Sequence, residues 1–281
     1  MPTLTVVGNC QAESTRRLLM SCGKFASERI APVHELTAED MGWFGNLIAR
    51  TDVLVTQPIR DNYRGLPVGT SQLISQLPAH AVHQVVPVLR FDALMPYQAI
   101  IRDPDDPSLN PPVVPYHDLR ILAAVARGLD RAVEISPPPA ALRRAALMSI
   151  AEIRSREQRH GAVVISDYLE TSPVWHTVNH PDNATLVVLA ERILAALGIT
   201  GGVSAPDYEM LGELDAPVAP EAAAALGVRV AGRAHWTRRG GEVIDHDDIV
   251  ARQLEFYRAS PALVAHGMRR HAQRLSTLGL A

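Results

Sequence analysis

Cys10 has the side chain with the most direct chemical use in this sequence. It follows a short apolar run at 4–7, typical of a buried strand, and precedes a helical pattern over 11–20. Ligands of open α/β sheets gather at the carboxyl ends of strands, and the first N–H groups of a helix stabilise a thiolate and a developing oxyanion. We therefore predict that Cys10 is a nucleophile with a lowered pKa. The alternative is a small buried cysteine beside a turn.

The residues around Cys10 suit a turn that approaches a ligand closely. Gly8 permits a tight turn, and the amide side chains of Asn9 and Gln11 are expected to donate hydrogen bonds beside the thiol. Cys22, near the end of the same helix, precedes a glycine of the kind that ends helices and is predicted to be a packing residue.

The densest group of histidines contains His176 and His180. A neutral imidazole can accept the proton of a thiol or of an acceptor hydroxyl. His180 is the first candidate for this general base, because Pro181 makes the turn ahead of a helix rigid, and His176 is the second. Asp182 either orients a histidine or caps that helix. The alternative is that both histidines satisfy local backbone groups; a third metal ligand is not evident, so no metal is expected.

A second polar segment, 57–65, directly follows a short apolar strand. The guanidinium groups of Arg60 and Arg64 suit phosphate, and Asp61 could fix one of them or orient a histidine. Tyr63 offers a ring for stacking and a hydroxyl. The alternative is a surface loop with solvated or mutually paired charges, but its place at a strand end favours function.

Strands that alternate with helices must position these side chains. Strands are predicted at 4–7, 52–56 and 82–89, with a fourth at 161–166, and helices at 11–20, 70–77, 118–129, 139–157 and 184–197. This pattern predicts an α/β fold with a parallel or mixed central sheet and helices on both faces. Two helices between 247 and 275, split at Ser260-Pro261, predict a mainly helical C-terminal extension. We expect a catalytic domain over 1–200 and an extension or small subdomain over 201–281.

Composition narrows the class of protein. The formal charge is −3, so no basic excess indicates binding to nucleic acid or an anionic membrane. Two cysteines are few for a disulfide framework, which favours free thiols in a reducing compartment. The first residues lack the features of a signal peptide, and no apolar run reaches about 18 residues. We expect a cytoplasmic protein that is not embedded in a membrane.

Three segments together resemble one known family. Gly8-Asn9-Cys10-Gln11, segment 57–65 (Gln-Pro-Ile-Arg-Asp-Asn-Tyr-Arg-Gly) and segment 175–181 (Trp-His-Thr-Val-Asn-His-Pro) are similar to the WcbI family of capsular polysaccharide biosynthesis proteins, over about residues 1–200. The resemblance implies a bacterial enzyme that binds coenzyme A and acetylates a surface polysaccharide. The Asn9-Cys10 pair also resembles, more loosely, the Gly-Asp-Ser turn of some hydrolases and transferases.

The residues expected to contact coenzyme A or acetyl-coenzyme A are Gly8, Asn9, Gln11, Gln57, Arg60, Asp61, Tyr63, Arg64 and Asn179. Three functions stay open: acetyl transfer to a carbohydrate hydroxyl through Cys10 or directly, hydrolysis of an ester or thioester at the same site, and non-catalytic binding of coenzyme A or a nucleotide. The phosphate motifs of P-loop and dinucleotide-binding proteins are absent from the sequence, which disfavours kinases and standard oxidoreductases. We predict an O-acetyltransferase with a carbohydrate acceptor, and the sequence leaves a homo-oligomer open.

Overall fold

The computed structural model describes residues 1–230 and 233–281, which fold into two compact units. Unit 1 comprises Met1–Arg90, Ala151–Pro173 and His180–Leu211. Unit 2 comprises Phe91–Ile150, Val174–Asn179 and Gly212–Ala281. The C-terminal region therefore belongs to the same unit as residues 91–150, and the division between the units does not fall at residue 200.

The strands are β1 (Leu4–Val7), β2 (Val53–Thr56), β3 (Val82–Val85), β4 (Gln98–Ala99), β5 (His117–Asp118), β6 (Leu214–Asp215) and β7 (Thr237–Arg238). The helices are α1 (Cys10–Ser21), α2 (Met41–Ile48), α3 (Thr70–Ser75), α4 (Leu119–Ala126), α5 (Pro139–His160), α6 (Ser166–Leu169), α7 (Asn183–Ala196), α8 (Pro220–Leu226), α9 (His246–Ala259), α10 (Pro261–Arg270) and α11 (Ala272–Leu278).

Unit 1 is built on a parallel sheet with the order β1-β2-β3. Every residue of β1 and β2 is buried, so both faces of these strands are covered, whereas β3 is a partly exposed edge. Helix α1 packs against β1 and α7. Residues Val7 and Leu54 of the sheet form a core with apolar side chains of α2 and α3. The predicted α/β fold with a parallel sheet is confirmed.

Residues 161–166 do not form the predicted fourth strand. The segment makes one backbone hydrogen bond to β3, from the N–H of Val163 to the carbonyl of Val85. Helix α6 then begins at Ser166. The buried carboxylate of Glu157 accepts the backbone N–H groups of Ile165 and Ser166 at 2.7 and 2.9 Å. These donors are therefore unavailable to a neighbouring strand, which is why the apolar run does not extend the sheet.

Unit 2 contains two short antiparallel strand pairs, β4–β5 and β6–β7, and several helices. Helices α4, α9 and α10 pack together around a core that includes Leu122, Tyr257 and Leu263. The helix break at Ser260 is confirmed, and α8 and α11 add helices that the sequence pattern did not predict. Among the described residues, no helix has the length and apolar character needed to cross a bilayer.

Candidate active site

Asn9 and Cys10 form the turn between β1 and α1. The backbone of Asn9 is extended (φ −80°, ψ −161°), and its Oδ1 accepts a hydrogen bond from the N–H of Gln11 at 2.9 Å. A capping asparagine satisfies one of the N–H groups that a helix leaves open at its start. Cys10 is the first residue of α1, so the predicted strand–turn–helix setting of this cysteine is confirmed.

The thiol of Cys10 contacts the imidazole of His180. Cys10 Sγ lies 3.6 Å from His180 Nε2, which is within hydrogen-bonding range for sulfur. Both residues belong to unit 1, both are partly exposed, and Cys10 is a free thiol. The structure therefore joins the first candidate for the base to the candidate nucleophile, in a geometry that allows the imidazole to take the thiol proton.

Burial raises the pKa of the Cys10 thiol above its ordinary value, because removal from water penalises the thiolate. The backbone N–H groups of Cys10 and Gln11 act in the opposite direction, and the charge of Glu35 adds to the rise. The expected backbone donors are present, but the prediction of a lowered pKa is wrong because burial outweighs them. At neutral pH a base must therefore take the proton of Cys10 before the sulfur attacks.

Two buried glutamines tie the Cys10 turn to other parts of unit 1. Gln57 Oε1 accepts the N–H of Asn9 at 2.9 Å, and Gln57 Nε2 donates to Gln11 Oε1 at 3.0 Å. Gln11 Nε2 donates to the carbonyl of Leu89 at 2.8 Å, and Gln11 Oε1 accepts the N–H of Leu89 at 3.1 Å. The amide of Gln11, which was predicted to donate beside the thiol, binds Leu89 and Gln57 in this structure. Both glutamines support the turn.

The position of the Gln57 side chain requires a glycine at position 8. A Cβ atom at position 8 would lie 2.6 Å from Gln57 Oε1 and 2.8 Å from Gln57 Cδ, closer than real Cβ atoms approach other atoms. The carbonyl of Gly8 also accepts the N–H of Val33 at 2.8 Å. The side chain of Gln57 thus approaches Gly8 closely, and the close approach of a ligand to Gly8 stays a prediction.

Arg60 and Arg64 are exposed cations on the loop that follows β2. Arg60 Cζ lies 5.8 Å from the ring centroid of Tyr63, and Arg64 Nη1 donates to the carbonyl of His34 at 3.1 Å. Asn62 and Arg64 have positive φ values of 52° and 55°. Such backbone conformations cost energy in L-residues and persist where the surroundings hold them. The predicted cationic loop is therefore an ordered feature of unit 1.

Hydrogen bonds from the start of α3 fix the conformation of this loop. Ser71 Oγ donates to Asp61 Oδ1 at 2.5 Å, and the amide of Gln72 pairs with Asn62, accepting its N–H at 3.0 Å and donating to its Oδ1 at 2.9 Å. A Cβ at Gly69 would lie 2.5 Å from the Cα of Asp61, so this position must be glycine. Asp61 thus binds the start of α3 and fixes the loop. This role differs from the two that were predicted for it, which were to fix an arginine or to orient a histidine.

His176 lies in unit 2, where it pairs with a carboxylate. Its Nδ1 is 2.7 Å from Asp215 Oδ1, and its ring is buried. The carbonyl of His176 accepts the N–H of Ala216 at 2.7 Å and Arg233 Nη2 at 2.8 Å. Arg233 is also 3.6 Å from the carboxylate of Asp215, and burial lowers the pKa of Arg233. The second histidine candidate is therefore fixed by residues of unit 2.

The other polar residues of this segment have structural partners. Asn179 Oδ1, in unit 2, accepts the hydroxyl of Tyr116 at 2.9 Å. Asp182, in unit 1, is the N-cap of α7, where its Oδ1 accepts the N–H of Thr185 at 3.1 Å. Of the two roles predicted for Asp182, the structure shows the helix cap. His180 is the member of this segment that meets Cys10 within unit 1.

Sequence reasoning missed two acidic residues. Glu35 influences the thiol of Cys10 from an exposed loop, and Asp215 pairs with His176 from a strand of two residues. Neither lies in a local pattern that could have signalled its partner, because each interaction joins distant parts of the sequence. In the ranges 1–230 and 233–281, no three His, Cys, Asp or Glu side chains form a group that could hold a metal.

The fold and this site define an α/β protein with a cysteine–histidine pair at the carboxyl end of its first strand. The model of the polysaccharide biosynthesis enzyme WcbI family matches residues 3–202. The chain therefore belongs to the WcbI family of polysaccharide biosynthesis enzymes. No curated protein matches the chain.

One solved structure is similar over nearly the whole chain. It is described as WcbI, a novel polysaccharide biosynthesis enzyme, in its native form without a disulfide bond between coenzyme A and one of its cysteines. The sequences are 17% identical, the TM-score is 0.82, and the match covers 99% of this chain and 98% of that chain. The shared fold therefore extends past residue 200, into the region that the sequence resemblance did not cover.

Proposed function

We propose that this enzyme transfers an acetyl group from acetyl-coenzyme A to a hydroxyl of a polysaccharide or sugar precursor. Cys10 is the nucleophile, and His180 is the general base. The observation that carries this proposal is the distance of 3.6 Å between Cys10 Sγ and His180 Nε2 at the start of α1. Membership in a family of polysaccharide biosynthesis enzymes supports a carbohydrate as the acceptor.

The choice of donor is supported by two observations. The description of the similar WcbI structure names coenzyme A together with one cysteine, in a form without a disulfide bond between them, which supports coenzyme A as a ligand of a protein of this fold. In this chain, Arg60 and Arg64 are exposed cations on an ordered loop of unit 1. Guanidinium groups suit the phosphates of coenzyme A.

The first step forms an acetyl-enzyme. His180 Nε2 takes the proton of the thiol while Cys10 Sγ attacks the acetyl carbonyl carbon of the thioester. The bond between that carbon and the donor sulfur breaks, and the departing sulfur receives the proton from the imidazolium. This order fits a thiol whose pKa is raised by burial, because the proton leaves only as the attack proceeds.

The second step moves the acetyl group to the acceptor. A carbohydrate hydroxyl gives its proton to His180 Nε2 and attacks the acetyl carbon, and the bond to Cys10 Sγ breaks. The sulfur then takes the proton back from the imidazolium, which restores the thiol. The N–H group of Cys10 acts on the sulfur in the resting protein and belongs to the helix start, where donors stabilise a developing oxyanion.

Mass spectrometry of the intact protein after mixing with acetyl-coenzyme A tests this proposal. We expect one acetyl adduct, which disappears in Cys10→Ala and persists in the matched variant Cys22→Ala. Both cysteines are free and partly buried, so Cys22 controls for general thiol reactivity.

Two results would contradict the acetyl-enzyme. An adduct that persists in Cys10→Ala would place the acetyl group elsewhere, and acetylated product without any adduct would require direct transfer. Release of acetate at the same rate with and without a carbohydrate acceptor would assign hydrolysis to the same pair.

A further inference from the structure

Unit 2 contains a pocket of about 340 Å³, whereas the cysteine–histidine pair belongs to unit 1. The walls of the pocket include residues of β4, β5, α4 and α9 and of the segments 217–221 and 234–236, all of which belong to unit 2. The volume falls in the lower part of the range of roughly 300–1,000 Å³ that is usual for small-molecule sites. It suits a small ring compound rather than a whole nucleotide cofactor.

One wall of the pocket is aromatic. The rings of Tyr116 and Trp236 stack with centroids 5.4 Å apart and planes inclined by 23°, and Tyr97 adds a third aromatic side chain to the lining. Aromatic rings provide large, rigid apolar faces, against which the C–H face of a sugar ring packs. Arg120 already covers the ring of Tyr97, with its Cζ 4.6 Å from the centroid. The aromatic lining that is left for a ligand is therefore provided by Tyr116 and Trp236.

Gln98 gives this pocket a hydrogen-bond acceptor that has no donor. Its side chain lines the pocket and is only 7% exposed. Within the residues that the structure describes, Gln98 Oε1 is a buried atom with no hydrogen-bond partner. An unmet buried acceptor costs about 1–3 kcal/mol, and a hydroxyl group of a ligand would remove that cost. A ligand that binds this acceptor must carry a hydrogen-bond donor, as the hydroxyl groups of a sugar do.

The charges of the lining disfavour an anionic ligand. Two carboxylates, Asp118 and Glu221, face one guanidinium, that of Arg120. Arg120 is paired with Asp118 at 2.6 Å, and Tyr97 Oη donates to Glu221 Oε1 at 2.6 Å. Burial also keeps His117 neutral at pH 7 by lowering its pKa to about 4. A phosphate or carboxylate would meet an excess of negative charge here, whereas a neutral ring would not.

We propose that this pocket binds a neutral sugar ring of the carbohydrate on which the enzyme acts. The aromatic pair Tyr116 and Trp236 packs against the ring, and Gln98 Oε1 accepts a hydroxyl. The assignment of this sugar to the acceptor rests on the proposed function, but its binding can be measured without acetyl-coenzyme A.

Saturation-transfer NMR on the full chain tests the pocket with methyl glycosides of glucose, galactose, mannose and glucuronic acid as probes. We expect at least one neutral glycoside to bind, and the glucuronide to bind more weakly than the glucoside. Gln98→Leu should weaken the neutral ligand about tenfold, which corresponds to the loss of one hydrogen bond. Its melting temperature should not fall, because the variant removes an unmet buried acceptor. Trp236→Leu should weaken binding as well, and Trp43→Phe, at an exposed indole of unit 1, should not.

Several outcomes would overturn the pocket assignment. These are the absence of binding by all three neutral glycosides, tighter binding of the glucuronide, and a Gln98→Leu variant that melts earlier yet binds normally. Loss of coenzyme A affinity in Trp236→Leu would reassign the pocket to the donor. The two proposals can be tested separately, because Cys10→Ala removes the proposed nucleophile but should leave sugar binding to the pocket unchanged. If no acetyl-enzyme formed, sugar binding to the pocket would still be expected.

Discussion

His176 and His180 are close in sequence, but they lie in different units and have different partners. His180 Nε2 meets the thiol of Cys10 in unit 1, and both groups are partly exposed. His176 is buried in unit 2, where its Nδ1 pairs with Asp215 and its carbonyl with Arg233. The first setting allows a proton to move between two reactive groups. The second is a structural hydrogen bond, in which a carboxylate fixes the orientation of the ring.

The comparison shows why a cluster of histidines in sequence cannot be treated as one site. The chain passes from unit 2 to unit 1 between Asn179 and His180, so neighbours in sequence are distributed between two cores. A residue's chemistry then depends on what each unit places beside it. For His180 this is a nucleophile, and for His176 it is a carboxylate and an arginine.

The largest expected difference comes from the same change at the two histidines. His180→Gln removes the base, so the single-turnover rate of acetyl transfer should fall by about 10²- to 10⁴-fold. The affinity for coenzyme A should stay near that of the wild type. Rapid mixing with acetyl-coenzyme A measures the rate, and calorimetry measures the affinity. A large loss of affinity instead would place His180 in the donor pocket.

His176→Gln is the matched control. It removes the bond from Nδ1 to Asp215, so the free energy of unfolding should fall by about 1.5 kcal/mol, while the acetylation rate of Cys10 should stay near the wild-type rate. Urea denaturation measures the stability. If His176→Gln stopped acetylation without loss of stability, the distinction between the two histidines would be lost.

Gly8→Ala tests the support of the Cys10 turn. The new methyl group would overlap Gln57 Oε1, so we expect a loss of about 1–3 kcal/mol in the free energy of unfolding and slower acetylation of Cys10. In a Gln57→Ala background the same change should cost less, because the overlapping side chain is gone. Urea denaturation of the two single variants and the double variant measures this coupling. Strictly additive costs would show that Gly8 and Gln57 are not coupled.

The smallest expected effect concerns the acidity of the thiol. Alkylation of Cys10 in a Cys22→Ala background should reveal a pKa above the ordinary value of cysteine, so the reaction is slow at neutral pH and accelerates only in alkaline buffer.

Glu35→Gln should lower the pKa of Cys10, because it removes a negative charge, and the difference from the wild type should shrink as salt is added. Glu39→Gln changes another exposed glutamate of the same segment and should leave it unchanged. An apparent pKa below the ordinary cysteine value would show that the helix start outweighs burial.

Local features of the Cys10 turn were predictable from sequence. The apolar run of β1, the turn at Gly8 and Asn9 and the start of α1 depend on neighbouring residues, so their order and the position of Cys10 could be inferred. His180 could be proposed as the partner because the following Pro181 and Asp182 indicated a turn and a helix start. The predicted pairing depended on that reasoning and on the family resemblance.

Features that join distant parts of the chain were not predictable. The bridge from Asn9 through Gln57 and Gln11 to Leu89 links three separate segments, and no periodic pattern indicates it. The sign of the shift in the pKa of Cys10 depends on how deeply other segments bury the sulfur. The segment 161–166 has the composition of a strand, but a buried glutamate takes two of its backbone donors, those of Ile165 and Ser166.

The most direct test of the central claim is rapid-quench mass spectrometry of the reaction with acetyl-coenzyme A and a carbohydrate acceptor. If Cys10 and His180 act as a pair, acetyl-Cys10 forms before the acetylated carbohydrate and decays at the rate at which that product appears. In His180→Gln, both rates fall together. Product that accumulates with no acetyl-Cys10, or an adduct that forms more slowly than the product, would contradict the account.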